Sequence, residues 1–347
     1  MGRATMRWLP PALLLVVAAR LATVAVVVVR GEPQVPCYFV FGDSLVDNGN
    51  NNDIASLARA NYPPYGIDFA GGATGRFSNG LTTVDAISRL LGFDDYIPAY
   101  AGASGDQLLT GVNFASAAAG IRDETGQQLA PTSIALERSV SLLTHTYGPW
   151  PQGQRISFGG QLQNYQAAVQ QLVSILGDED SAANHLSQCI FTVGMGSNDY
   201  LNNYFMPAVY STSQQYTPAQ YADVLIDQYS QQLRTLYSYG ARKVALMGVG
   251  QVGSIDINVY GIFEDILRAP GSHGLTVTNR GCCGVGRNNG QVTCLPFQTP
   301  CANRNEYLFW DAFHPTEAAN VLVGRRAYSA AQPSDVHPVD LRTLAQL

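Results

Sequence analysis

The chain has 347 residues, 46% of them hydrophobic and 13% charged, with a formal net charge of -6 and a pI of about 5.3. That composition is too apolar for disorder and supplies enough residues for one sizeable α/β domain. It contains no long basic run to follow a phosphate backbone, so nucleic acid is not an expected partner.

Residues 1–30 read as a secretory signal peptide. Arg3 and Arg7 precede the apolar run Leu9–Val17, a second run spans Leu21–Val29, and Thr23-Val24-Ala25 offers small residues for cleavage. Arg20 divides the two runs, and a charge near the middle of a membrane span costs roughly 2.5–3.5 kcal/mol. No stable membrane span is therefore expected.

Apolar runs at Cys37–Phe41, Val112–Phe114, Cys189–Val193, Val244–Val249 and Ile255–Tyr260 predict buried strands. Helical patterns lie between most of them. Leu81–Leu91 and Gln161–Leu176 are two. In a third, Thr217-Pro218 supplies a cap and first turn, Tyr221, Leu225, Tyr229, Leu233 and Leu236 recur at helical spacing, and Gly240 is the stop. Alternation of this kind predicts a doubly wound, parallel sheet with its ligand site beyond the carboxyl ends of the strands. One junction resists the pattern: Gly250–Ser254 is too short to cross between adjacent parallel strands, which needs a dozen or more residues. The two runs then form an antiparallel hairpin, or the second leaves the sheet, or a crossover helix has been lost.

Six cysteines fit an oxidising compartment. Cys282, Cys283, Cys294 and Cys301 share a Gly/Pro/Asn-rich stretch that disulfides can staple, and their spacing lacks the paired C-x-x-C knuckles of a zinc site. Cys37 and Cys189 sit in strand-like runs and read as buried free thiols. No N-x-S/T sequon is present, so N-glycosylation is not expected.

The chemistry concentrates in three places. Phe41-Gly42-Asp43-Ser44-Leu45 sets a serine just past a strand end, and Trp310-Asp311-Ala312-Phe313-His314-Pro315 sets a histidine three residues after a carboxylate. A serine hydroxyl needs a base to accept its proton, and the base needs a group to hold its tautomer. Ser44, His314 and Asp311 are the candidates. Gly194–Tyr200, at another strand end, adds Asn198 as a donor to a developing oxyanion. Taken singly, Gly-Asp-Ser is a common turn, Asp311 is equally suited to capping the next helix, and Asn198 is equally a turn residue. The G-x-S-x-G elbow of an α/β-hydrolase is absent, and Gly281–Gly290 follows no strand and lacks Gly-Lys-Ser/Thr.

Five ordered blocks, Phe41–Asn52 (FGDSLVDNGNNN), Gly75–Gly80 (GRFSNG), Gly111–Ile121 (GVNFASAAAGI), Gly194–Asn203 (GMGSNDYLNN) and Phe309–Asn320 (FWDAFHPTEAAN), resemble those of plant GDSL esterase/lipases within the SGNH hydrolases. The resemblance implies a flavodoxin-like three-layer sandwich with a mostly parallel sheet, residues 37–330 as one domain, and residues 331–347 as a C-terminal tail. It also implies secretion to the apoplast or cell wall and cleavage of small-molecule, lipid or cell-wall carboxylic esters through an acyl-enzyme, with no cofactor and no metal. By motif match Ser44 is the nucleophile, His314 the base, Asp311 its orienter, and Ser44, Ala118 and Asn198 the oxyanion hole.

Three departures stand out. Ala117-Ala118 replaces the usual Gly pair, residues 130–152 are extra sequence, and a long helix with a cysteine pair is missing where Ser254 meets Ile255. A competing reading is a secreted binding protein, weak or inactive as a catalyst because of that missing segment. Interfacial activation finds no support, since no amphipathic lid with a basic face is evident.

Overall fold

Tyr38, Phe39, Val40, Phe41 and Gly42 form β1, every residue of it buried. The computed structural model describes residues 31–129, 155–248 and 255–347. The expected signal peptide, the extra segment 130–152 and the connection 249–254 lie outside the described residues. Further strands are β2 (Ile190–Gly194), β3 (Lys243–Met247), β4 (Ile255–Ile257), β5 (Val277–Gly281), β6 (Tyr307–Phe309) and β7 (Val336–His337).

The main sheet has the order β1-β2-β3-β4-β7, and all neighbours are parallel except the edge strand β7. Alternation along the strands sends side chains to opposite faces. Tyr38, Val40, Ile190, Ala245, Ile255 and Ile257 pack on one face with apolar residues of the helices Thr83–Leu90, Val259–Arg268 and Glu317–Tyr328. Phe39, Phe41, Phe191, Val193 and Leu246 pack on the other with the helices Phe158–Leu176, Glu179–Gln188 and Pro218–Ser238. The result is the expected α/β sandwich of helices on both faces of a mostly parallel sheet. On the aromatic face, Phe39 stacks on Phe191 at 5.1 Å between centroids and Phe41 on Phe114 at 5.0 Å.

Local signals fix the helix ends. Thr217 and Gln220 form a capping box with Pro218 in the first turn, and Gly240 follows the helix with φ +101°. Thr82 and Asp85 form a second capping box, and Asp85 also holds the buried Arg76 guanidinium through two bonds of 2.8 Å.

Several expectations are corrected. Val112–Phe114 is not a full strand but makes isolated bridges, Asn113 pairing with Val40 on one side and with Ala99 on the other, and Phe114 N–H donating to the Val40 carbonyl at 2.7 Å. The Asn113 side-chain amide donates to the Val46 carbonyl at 2.6 Å, and Ser116 N–H donates to the Gly42 carbonyl at 3.1 Å. The last predicted strand stops at Ile257, because the Asn258 side chain accepts from Gly261 N–H and starts a helix. Of the three readings of the short junction, the hairpin and the departure from the sheet are overturned. β3 and β4 pair in parallel, Ala245 opposite Ile255, although only the six residues 249–254 connect Gly248 to Ile255.

Residues 331–347 are part of the fold, not a tail. β7 pairs with β4, and Leu341, Leu344 and Ala345 of the terminal helix Leu341–Gln346 are buried in the core. Cys37 and Cys189 are not free thiols but a disulfide. They directly precede β1 and β2, whose register places Tyr38 opposite Ile190, so their Cα atoms come within 4.8 Å. Cys282–Cys301 and Cys283–Cys294 staple the loop-rich region beside β5 and β6. Among the described residues, no helix is long and apolar enough to cross a membrane.

Candidate active site

The carboxyl end of β1 is held from behind by a residue the motifs did not single out. The buried Gln161 accepts from Gly42 N–H at 3.0 Å and donates to the Gly42 carbonyl at 2.8 Å. A Cβ on Gly42 would lie 2.5 Å from Cγ2 of Val46, so the close turn demands glycine. The Asp43 carbonyl then accepts from Val46 and Asp47 N–H, and Ser44 is presented at the surface of a cleft.

The loop after β6 brings its two residues to that serine. His314 Nε2 lies 2.8 Å from Ser44 Oγ, and His314 Nδ1 lies 2.8 Å from Asp311 Oδ1. The same Oδ1 accepts the backbone N–H groups of Phe313 and His314 at 2.9 and 3.0 Å, which rigidifies the three-residue spacing. Asp311 is not the helix cap: Thr316 takes that role for Glu317–Tyr328. The remaining carboxylate oxygen, Oδ2, accepts the Tyr65 phenol at 2.7 Å. Phe77 packs against the imidazole with 4.9 Å between ring centroids. Burial pushes the Asp311 carboxyl up, but the His314 charge and the bonds from His314, Phe313 and Tyr65 outweigh it and hold the group below its ordinary value.

Ala118 and Asn198 reach the same cleft, which encloses about 470 Å³. Ala118 has φ +65°, the left-handed region where a glycine would be free of the Cβ cost, so the departure from a Gly pair falls where it matters. Its position is set by the polar run after Ser44: Asp47 accepts from Ala117 N–H at 2.9 Å, and Asn51 donates to the Ala117 carbonyl at 3.1 Å. The backbone N–H groups of Ser44 and Ala118 have no acceptor among the described residues. Asn198 differs. Its Nδ2 donates to Asp43 Oδ2 at 3.2 Å and to the Ala119 carbonyl at 3.0 Å, while its Oδ1 accepts from Asn202 at 2.6 Å. An oxyanion would therefore replace Asp43 as its acceptor. Asp43 is 3% exposed, and burial raises its carboxyl to about 6 against the Leu45 N–H and the His314 charge.

A larger groove, about 740 Å³, is lined by Leu233, Tyr237, Val244, Asp256 and His337. Among its described lining residues no nucleophile is hydrogen-bonded to a base, whereas the smaller cleft holds Ser44 and His314 2.8 Å apart.

Comparison with known proteins decides the family. The model of the GDSL-like lipase/acylhydrolase family matches residues 38–264. This chain belongs to that family. Two GDSL esterase/lipases of Arabidopsis thaliana are similar to it: one 51% identical over 380 aligned positions, covering 96% of this chain and 99% of the relative, another 53% identical over 365, covering 92% and 94%. A third, at 41%, covers 91% of this chain and 87% of the relative. As a GDSL family member the chain is a carboxylic ester hydrolase. The first alignment runs over 380 positions, whereas 96% of 347 residues supplies about 333, so about 47 positions of that relative have no counterpart here.

Of the residues the sequence motifs single out, Ser44, Ala118, Asn198 and His314 line one cleft, and Asp311 lies buried behind His314. Tyr65 and Gln161 were missed. The polar density of the run Asn48–Asn52 is the sequence signal for the bracing of the Ala117-Ala118 turn, to which Asn51 donates at the Ala117 carbonyl.

Proposed function

We propose that this GDSL hydrolase is a secreted serine esterase that works through an acyl-enzyme. Ser44 Oγ attacks the ester carbonyl as His314 Nε2 takes its proton, and Asp311 holds the imidazole and stabilises its charged form. The carbonyl oxygen becomes an oxyanion facing the Ser44 and Ala118 N–H groups, with the Asn198 amide turning from Asp43 to join them. Collapse expels the alcohol, which takes the proton from His314. Water activated by the same base then releases the acid and restores Ser44. The observation that carries this reading is the unbroken line from Ser44 through His314 and Asp311 to Tyr65, with three contacts of 2.7–2.8 Å.

Secretion is supported by the apolar leader with Arg3 and Arg7 before it and by three disulfides. The expected substrates are small-molecule, lipid or cell-wall esters. Purified protein releases p-nitrophenol from short-chain esters, and Ser44→Ala lowers kcat by on the order of 10⁴-fold or more. Equal activity in that variant sinks the assignment. The shortened link between β3 and β4 favours a second reading, a binding protein with an idle triad. A fluorophosphonate probe separates the two: stoichiometric labelling at Ser44 supports the esterase, and none in a folded sample supports the binding role.

A further inference from the structure

Arg59 shares the cleft with Ser44, and the other charged or titratable side chains lining it among the described residues are Asp43 and His314. Those two are engaged: Asp43 with Leu45 N–H and Asn198, His314 with Asp311. Arg59 has no carboxylate partner among the described residues; several other arginines, Arg155 and Arg234 among them, lack one too, but Arg59 is the arginine in the described lining of the cleft. One of its N–H groups goes to the Ile54 carbonyl, and its Nε, closed off from solvent, has no acceptor among the described residues. A half-buried guanidinium without a counter-charge is an incomplete arrangement, since both the charge and the unmade bond carry a cost. An oxyacid group in the cleft supplies the missing counter-charge at the terminal guanidinium nitrogens, which suit a carboxylate or phosphate.

The rest of the lining says what lies between that anion and the serine. Leu45, Leu57, Leu201, Val292 and Phe313 line the same cleft and are 38–64% exposed, a concentration of accessible hydrocarbon that suits an alkyl chain. The sole carboxylate in the described lining, Asp43, is 3% exposed at the serine turn, so an incoming anion meets no exposed acid there.

We propose that Arg59 anchors an anionic oxyacid group carried by the ester substrate, while the apolar walls hold the hydrocarbon that joins this group to the scissile ester. The proposal rests on the esterase reading and deepens it: the preferred esters carry a second, ionised acid function.

The test compares each anionic ester with a neutral counterpart. The carboxylate arm uses the monomethyl and dimethyl esters of adipate, suberate and sebacate; the phosphate arm uses dihexanoyl phosphatidate and dihexanoylglycerol. The readout is the anionic-to-neutral ratio of kcat/KM. Arg59→Gln lowers that ratio about tenfold or more in the arm that carries the natural chemistry, Arg59→Lys recovers part of it, and added salt weakens the parent's preference. An unchanged ratio in both arms overturns the proposal. Calorimetric binding of monomethyl suberate and of dihexanoyl phosphatidate to Ser44→Ala, with and without Arg59→Gln, reads the anchor without turnover. Binding lost only in the double variant supports Arg59 even if the parent proves inactive, in which case the esterase reading alone falls. Equal binding by the single and double variants rejects the anchor.

Discussion

Tyr65 donates its phenolic hydrogen to Oδ2 of Asp311 at 2.7 Å, across 246 residues of chain. It occupies the carboxylate oxygen that His314 leaves free, so both oxygens are satisfied in a site that is 1% exposed at Asp311 and 1% at Tyr65. Burial and the Asp311 charge push the phenol well above its ordinary value, which keeps it a donor. Through Asp311 the ring acts on the orientation of His314, as a positioning group behind the serine.

Tyr65→Phe removes that bond and little else, because the ring remains packed between Phe77 and Trp310 at 5.8 and 6.2 Å. A hydrogen bond to a charged group contributes about 1.5–3 kcal/mol, so kcat falls about tenfold or more while KM changes little. Steady-state kinetics on a short-chain ester checks it. An unchanged kcat shows that Asp311 needs no second partner.

Ala118, with φ +65°, separates two substitutions of similar size. Ala118→Gly removes a left-handed cost of roughly 1–2 kcal/mol but adds freedom to the unfolded chain worth about 0.4–1 kcal/mol, so stability rises by about 0–1.6 kcal/mol and activity is kept. Ala118→Val places a branched Cβ where such residues are genuine outliers, and a displaced N–H lowers activity on the order of 100-fold. Thermal unfolding together with ester hydrolysis reads both. Equal behaviour of the two variants argues against any role for this backbone position.

Asp43 makes stability depend on pH in a direction opposite to Asp311. Its folded value of about 6 lies above the ordinary carboxylate value, so between about pH 4 and 6 the folded state keeps a proton that the unfolded state has lost. Stability from this group is full below about pH 4 and declines as pH rises through 6. Asp311, held below its ordinary value, contributes stability above pH 4 that is lost in acid. Asp43→Asn removes the first dependence. In denaturant unfolding, the variant gains on the parent as pH rises from 4 to 6 and the gap then levels off. A gap that is constant with pH shows that Asp43 ionises normally.

What the amino-acid sequence determined by itself was local. A glycine-led turn at a strand end presents Ser44, a three-residue spacing lets Asp311 reach both the ring and the backbone of His314, and Thr217-Pro218 opens a helix where its cap and first turn dictate. These follow from torsions and bonds within a few residues, and they need no partner from elsewhere in the chain. Tertiary structure decided whatever depends on which distant segments become neighbours. The parallel register of β1 and β2 turned two apparent free thiols into the Cys37–Cys189 disulfide. The pairing of β3 with β4 selected a parallel sheet across a six-residue link, and sheet-edge pairing drew residues 336–337 into the domain. Tyr65 and Gln161 carry no local signature of their work, because a buried polar side chain is defined by the acceptor it meets. That acceptor lies 246 residues away for Tyr65 and 119 for Gln161, so only the folded chain brings Tyr65 to Asp311 and Gln161 to the turn that carries Ser44.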